Sequence, residues 1–230
     1  RPIAGYMNLC YNVISIRTLS WEEAVTLIVH EALHALGWSS SLFSVYRQFN
    51  NNQLSIYNPE ITRTVRGVSK KLFAGPNVVD KAKTFYGCDT NPASIEGVEL
   101  EEFGSDGTAG SHWEARTVGS ATMLGYIGTA NPVHLFTFAL LEDTGWYTVN
   151  YEYASEPPIG RGAGCAFVEN KCITGSINNP TIVDSSVYCA ANVSNACGRQ
   201  HVLKGHCTIT GGKSGIPTQM QYYGSSSIGG

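Results

Sequence analysis

The chain has 230 residues, of which 43% are hydrophobic, and a formal net charge of −3 at pH 7. This composition is sufficient for a globular core, whereas the weak acidic charge offers no basic face for nucleic acid, and no run of about 18 apolar residues could span a bilayer. We therefore expect neither a nucleic-acid partner nor a transmembrane helix. No signal-type segment precedes Arg1, so we interpret the sequence as a fragment or a processed form.

The first quarter of the chain predicts a strand followed by a long helix. Residues 2–9 have the pattern of a strand with an internal glycine, ending near Cys10. Ser20 and Glu23 form a capping-box pattern, and the apolar run that follows has helical length, so we predict a helix from Trp21 to Leu36. Gly37 is expected to end it.

The middle of the chain predicts short elements and loops. Residues 39–75 lack a long period and are expected to form an inserted, mostly surface segment, within which the basic stretch 63–71 is exposed. A short helix is predicted from Val78 to Tyr86, with Gly87 as its C-terminal cap. Residues 89–111 are acidic and rich in glycine, which favours strand fragments and loops, with a solvated acidic face at residues 96–106.

A second long helix and a change in composition follow. Asn131 is the expected N-cap and Pro132 the first helical residue of a helix that ends near Gly145. From Glu156 onward Pro, Gly, Ser, Asn and Cys dominate and no apolar period remains. We therefore predict two domains, residues 1–155 and a disulfide-held module at residues 156–230.

The seven cysteines are concentrated toward the end of the chain, with five of them between Cys165 and Cys207. This density, without a CxxC pair, predicts disulfides and an oxidising compartment rather than a cytosolic zinc ribbon. The odd number leaves one cysteine without a partner in this sequence.

The predicted first helix carries the sequence HEALH, in which His30 and His34 lie four residues apart and therefore share one face. Two imidazoles in this arrangement can bind one zinc ion, and Glu31 is placed to act as general base toward a water molecule that the metal activates. The alternative is a chance match on a buried helix. It is disfavoured because an unpaired His-Glu-His cluster among apolar neighbours would destabilise the helix.

A catalytic zinc site needs a third protein ligand, and the residues leave two sources open. A carboxylate from the acidic stretch would give a thermolysin-like site, and a histidine would give a three-histidine site. The candidate carboxylates are Glu96, Glu99, Glu101 and Glu102, and the candidate histidines are His112, His134, His201 and His206. For His134, we expect instead a partly solvated place in the first turn of a helix.

Gly37 extends the motif to HExxHxxG, the metzincin pattern, in which a third histidine usually follows three residues after the glycine. Position 40 is serine here. His112 follows the loop GTAGS, and Met123 lies in SATMLGY, which looks like a methionine turn. A histidine reached across a long insertion and followed by such a turn resembles the leishmanolysin family, peptidase family M8. Further stretches are similar to that family from residue 1 to about 175, including RPIAGYMNLC, EGVELE, FALLEDTGWY and GAGCAFVENKC.

The resemblance implies an α+β fold, with a metzincin-like catalytic domain at residues 1–155 and a cysteine-rich module at residues 156–230. It also implies one zinc ion held by His30, His34 and His112, with Glu31 as general base and Met123 as a hydrophobic floor that does not bind metal. The implied disulfides are Cys88–Cys165 and Cys189–Cys207. Tyr126 is better explained by packing or by a place at the rim of the cleft.

We accordingly expect a zinc-dependent endopeptidase that cleaves proteins or peptides. We expect it to be secreted or located at the cell surface through segments outside this sequence, and to be a monomer. Two alternatives remain open. One is a thermolysin-like peptidase with a glutamate as third ligand. The other is a secreted or surface adhesion protein that keeps the fold and binds zinc without cleaving peptides, although such a protein has no need of Glu31.

Overall fold

The computed structural model describes residues 2–8, 19–50, 53–88, 95–105, 107–128, 131–176, 179–182, 187–188, 193–197 and 204–207. These residues form an α+β fold, as the sequence predicted. The helices are α1 (Trp21–Leu36), α2 (Pro76–Tyr86), α3 (Ala115–Val118), α4 (Leu135–Asp143) and α5 (Cys165–Glu169), with 3₁₀ helices at Ser40–Val45 and Tyr151–Tyr153.

The strands form small antiparallel sheets. They are β1 (Tyr46–Asn50), β2 (Gln53–Tyr57), β3 (Glu60–Val65), β4 (Val68–Phe73), β5 (Val98–Glu99), β6 (Ile173–Ser176), β7 (Asn179–Ile182), β8 (Val193–Cys197) and β9 (Lys204–Cys207). Strands β3, β4 and β5 form a three-stranded sheet, and the pairs β1–β2, β6–β7 and β8–β9 form two-stranded sheets. No described helix is both long enough and apolar enough to cross a membrane.

Helix α1 has the predicted bounds. The Ser20 side chain accepts a hydrogen bond from Glu23 N, and the Glu23 carboxylate accepts one from Ser20 N, so the capping box is complete. Gly37 ends the helix with a φ of 131°, which strongly favours glycine at this position. Helix α2 begins two residues before the prediction, at Pro76, and Gly87 adopts the expected left-handed cap.

Helix α4 begins later than predicted, and its N-cap is His134 rather than Asn131. The His134 side chain accepts a hydrogen bond from Phe136 N. The carbonyl groups of Asn131 and Pro132 instead accept hydrogen bonds from the hydroxyl and backbone N–H of Thr122. Residues 131–132 are therefore bound to the turn at Thr122, so that the helix starts three residues further on.

The predicted first strand is also wrong within the described residues, because residues 2–8 are irregular. The segment lies close to α1 and does not form a strand. A Cβ added to Gly5 would lie only 3.0 Å from the Cβ of Ala35 on that helix. Residue 9 and Cys10 lie outside the described residues.

Most described residues of the segment at residues 39–75 are half-buried or exposed, as expected, but the segment also contributes to the core. The hairpin of β3 and β4 buries Val65, Leu72 and Phe73, and three of its cationic side chains pair with glutamates of the acidic stretch. Arg66 donates to Glu99 at 2.7 Å, and buried Lys70 pairs with Glu102. The expectation of an exposed basic stretch and a solvated acidic face is therefore wrong at these positions, because the opposite charges are placed together and shielded from water.

One continuous core supports these elements. Aromatic rings from the region after α1, from β4, from the segment before α3 and from α4 pack together, mostly edge to face. They include Trp38, Phe43, Phe73, Trp113 and Phe136. Phe167 of α5 belongs to the same cluster, and the implied disulfide Cys88–Cys165 is present. The implied pairing of Cys189 with Cys207 lies outside the described side chains, and the domain boundary near residue 155 stays a prediction.

Candidate metal centre

Helix α1 presents His30 and His34 on one face, one turn apart, as their spacing requires. Their Nε2 atoms lie 3.1 Å from each other. His30 is buried, with 8% of its surface exposed, and His34 is half-buried at the edge of a cleft. Two imidazoles of one helix therefore converge on a point at the boundary between the core and the cleft.

His112 completes the cluster from a distant part of the chain. Its Nε2 lies 3.0 Å from that of His30 and 3.2 Å from that of His34. The loop that carries it is fixed by backbone hydrogen bonds, because Glu101 N donates to the His112 carbonyl and Gly110 N donates to the Glu101 carbonyl. The backbone of the acidic stretch thus positions the third histidine.

The second ring nitrogen of each histidine faces a backbone carbonyl oxygen. His30 Nδ1 lies 2.7 Å from Thr122 O, His34 Nδ1 lies 2.6 Å from Trp38 O, and His112 Nδ1 lies 2.8 Å from Thr108 O. A carbonyl oxygen only accepts, so each Nδ1 carries the proton in the neutral ring. Three unprotonated Nε2 atoms then point at one another with no proton between them.

Burial also favours the neutral rings. Desolvation lowers the pKa of His112 to about 4, although its hydrogen bond to Thr108 acts in the opposite direction. Desolvation likewise lowers the pKa of His30, with a smaller opposing effect from its bond to Thr122. Neutral imidazole is the form that binds a metal ion, so the three histidines are in the protonation state that a metal ion requires.

The spacing of the three nitrogens fits zinc. Nitrogen ligands about 2.0–2.1 Å from a tetrahedral ion lie about 3.3 Å from one another, close to the observed 3.0–3.2 Å. Within the described residues the cluster consists of His30, His34 and His112 and includes no carboxylate. Three protein ligands are typical of catalytic zinc, whereas structural zinc usually has four.

Glu31 lies beside the cluster on the cleft side of α1. The cleft has a volume of about 750 Å³, and its walls include residues 4–8, Leu42 and Trp146. No described residue makes a hydrogen bond or ion pair with the Glu31 carboxylate, which is half-buried. Its carboxylate is therefore available to a molecule bound in the cleft.

The other candidate ligands are engaged or located elsewhere. The carboxylates of Glu96, Glu99 and Glu102 pair with Arg63, Arg66 and Lys70, respectively. A carboxylate oxygen of Glu101 accepts a hydrogen bond from Phe103 N. His206 is exposed in β9, and His201 lies outside the described residues. His134 was expected to be partly solvated, which is wrong: it is fully buried, because it caps α4 against Phe85 and Phe136.

Met123 and Tyr126 follow the Thr122 carbonyl that holds His30. Met123 is fully buried, and its own carbonyl accepts from Trp113 N. Tyr126 is 43% exposed. The carbonyls that hold the rings were not expected from the sequence. Trp38 and Thr108 are each four residues from their histidine, a spacing that could have suggested them, whereas Thr122 is 92 residues from His30 and no local signal indicates it.

A helix that carries HExxH, with its two histidines close to a third histidine, is an arrangement found in zinc metallopeptidases. The fold and the site therefore place the protein in the class of HExxH metallopeptidases. The family model for leishmanolysin, Peptidase_M8, matches residues 1–230. The chain therefore belongs to the leishmanolysin family.

Several curated relatives agree with this assignment. The leishmanolysin-like peptidase of Drosophila pseudoobscura pseudoobscura is 36% identical over 75% of this chain and 29% of the relative. The leishmanolysin homolog of Crithidia fasciculata is 32% identical over 100% of this chain and 32% of the relative. The ciliated left-right organizer metallopeptidase of Mus musculus is 31% identical over 90% of this chain and 28% of the relative. The chain thus spans about a third or less of the length of these relatives.

Proposed function

We propose that this chain forms the metal centre of a zinc-dependent endopeptidase that hydrolyses peptide bonds in proteins. The observation that carries the proposal is the convergence of three unprotonated Nε2 atoms beside a free carboxylate in an open cleft. Membership of a peptidase family supports the reaction class.

His30, His34 and His112 hold the zinc ion in this proposal, and the carbonyls at their Nδ1 atoms fix the orientation of the rings. Bound zinc supplies Lewis-acid chemistry, which polarises a peptide carbonyl and makes a water molecule more acidic. Glu31 accepts a proton from the attacking water and passes it to the amine that leaves. Met123 packs beneath the histidines without binding metal.

The substrate is a protein or peptide segment that lies in the cleft beside Glu31 and His34. The protein acts outside the cell, either secreted or associated with the cell surface, and it acts as a monomer. The disulfide Cys88–Cys165 supports this location because such bonds persist in oxidising compartments.

The test compares the parent protein with three variants, after each has been reloaded with one equivalent of zinc. Glu31→Gln should retain zinc but lose casein cleavage by at least about 100-fold, the typical contribution of a general base. His112→Ala should lose zinc affinity and activity together. Glu22→Gln, an exposed glutamate in the first turn of the same helix, is the matched control and should behave like the parent.

Zinc content measured by elemental analysis separates the possible outcomes. Unchanged cleavage by Glu31→Gln would contradict its role as base. Unchanged zinc affinity in His112→Ala would contradict the ligand set. Zinc retained by a parent protein that cleaves nothing would instead support a zinc-binding adhesion protein of the same fold.

A further inference from the structure

Arg47 is a cationic side chain in the wall of the cleft. Among the described residues that line the cleft, Glu31 supplies the one carboxylate and Arg47 the one guanidinium. Glu31 is assigned to proton transfer in the proposed reaction. Arg47 is therefore the charge that remains to select among substrates.

No described residue neutralises Arg47. The guanidinium of each other described arginine has a partner: Arg63 binds Glu169, Arg66 binds Glu99, Arg116 donates to the backbone carbonyl of Asn170, and Arg161 binds Glu156. No described residue forms an ion pair or hydrogen bond with the Arg47 guanidinium.

The acidic residues at the end of α4 do not serve as partners for it either. Glu142 accepts from the Tyr151 hydroxyl, and Asp143 accepts from Asn77 and Val78. Arg47 is half-buried as a residue, and its guanidinium is thus left to an acceptor from outside the described residues.

The backbone that carries Arg47 is held firmly. Arg47 N donates to Thr144 O at 2.9 Å, and a Cβ added to Gly145 would lie 2.1 Å from Arg47 O. The preceding residue, Tyr46, is fully buried and packs against the ring of Trp146 at 5.3 Å. The backbone at position 47 is therefore fixed relative to the cleft, and the ordering of the arginine side chain itself is the main entropic cost of binding an anion there.

The surroundings of Arg47 favour recognition of a carboxylate. Val45, Leu42 and Trp146 line the same cleft, and such apolar walls strengthen a charge interaction relative to open water. The planar guanidinium can donate two parallel hydrogen bonds to a carboxylate.

We infer that Arg47 is a specificity-determining residue that binds a carboxylate of the peptide substrate, a conclusion that rests on the proposed peptidase function. The carboxylate belongs to an acidic side chain near the scissile bond or to the C-terminus of a short peptide.

The experiment uses fluorogenic peptides with one scissile sequence that carry Glu, Gln or Lys at the flanking positions, each prepared with a free-acid and an amide C-terminus. The zinc-loaded protein should cleave a Glu peptide with a kcat/KM about tenfold above its Gln counterpart, as expected for a charge-assisted hydrogen bond. If the C-terminus is the source, the free acid should exceed the amide instead.

Variants identify the residue responsible. Arg47→Gln should abolish the preference, Arg47→Glu should reverse it toward Lys, and Arg47→Lys should retain part of it because the charge remains. Arg161→Gln removes an exposed arginine elsewhere and should leave the preference unchanged.

Binding to the Glu31→Gln protein, measured by fluorescence anisotropy, separates this inference from the peptidase function. Equal affinity for Glu and Gln peptides, with either C-terminus, would overturn the role of Arg47 even if the parent protein cleaves them all. Affinity that prefers carboxylates and depends on Arg47, in a parent that cleaves nothing, would keep the carboxylate site and overturn the peptidase function.

Discussion

His134 should make the stability of the fold fall in mild acid. The ring is fully buried at the start of α4, against Phe85 and Phe136, and its Nδ1 accepts from Phe136 N. The proton of the neutral ring is therefore on Nε2, which has no hydrogen-bond partner among the described residues. A second proton would place a charge in an apolar site, and this burial lowers the pKa of His134 to about 3.

The sign and the size of the effect follow from this lowered pKa. Well above the ordinary pKa of 6.5 the ring is neutral in both the folded and the unfolded state, so its protonation does not change the free energy of unfolding. As the pH falls below 6.5 the unfolded chain binds a proton that the folded protein refuses until about pH 3, so the free energy of unfolding decreases. Between pH 7 and pH 5 the loss from this residue is about 2 kcal/mol.

Two variants isolate this contribution in urea titrations at pH 7 and pH 5. His134→Asn keeps an N-cap and cannot titrate, so its loss of stability over this range should be smaller by about 2 kcal/mol than that of the parent. His134→Ala should show the same reduced pH dependence, and it should be about 1 kcal/mol less stable than His134→Asn at both pH values because the cap is lost. An unchanged pH dependence in both variants would refute the assigned protonation.

Two further predictions concern the framework of the site. The disulfide Cys88–Cys165 closes a loop with a sequence separation of 77, so replacing both cysteines by alanine should lower the free energy of unfolding by up to about 4.5 kcal/mol in urea titrations. A loss under about 1 kcal/mol would contradict this. Arg66→Met should cost about 3–5 kcal/mol in the same assay because buried Glu99 loses its cation, and adding Glu99→Gln should restore most of it. No recovery in the double variant would show that the pair is not the cause.

Local patterns in the sequence were sufficient to predict α1 and the position of His30 and His34 on it. The capping box, the apolar run and Gly37 all act within a few residues, so a sequence window contains everything that determines the helix. The choice of His112 came from resemblance to a family. The structure brings its Nε2 to the other two across 82 and 78 residues.

The expectations that were wrong depended on contacts between distant segments. Asn131 and Pro132 have the local features of a helix start, yet Thr122 binds both of their carbonyls and delays the helix. Arg66 and Glu99 belong to stretches that are each polar enough to suggest a solvated surface. Their burial follows from pairing across 33 residues, which no local pattern reports.

The serine at position 40 shows how a departure from the common metzincin pattern can be accommodated. That pattern usually places the third histidine three residues after the glycine, a position that Ser40 occupies here. Ser40 N donates to the Ser111 hydroxyl at 3.1 Å, and the two hydroxyls lie 3.0 Å apart. Because Ser111 directly precedes His112, position 40 fastens the loop that carries the distant histidine instead of supplying a histidine itself. The chain segment after α1 therefore still contributes to the geometry of the centre, through a hydrogen bond rather than a ring nitrogen.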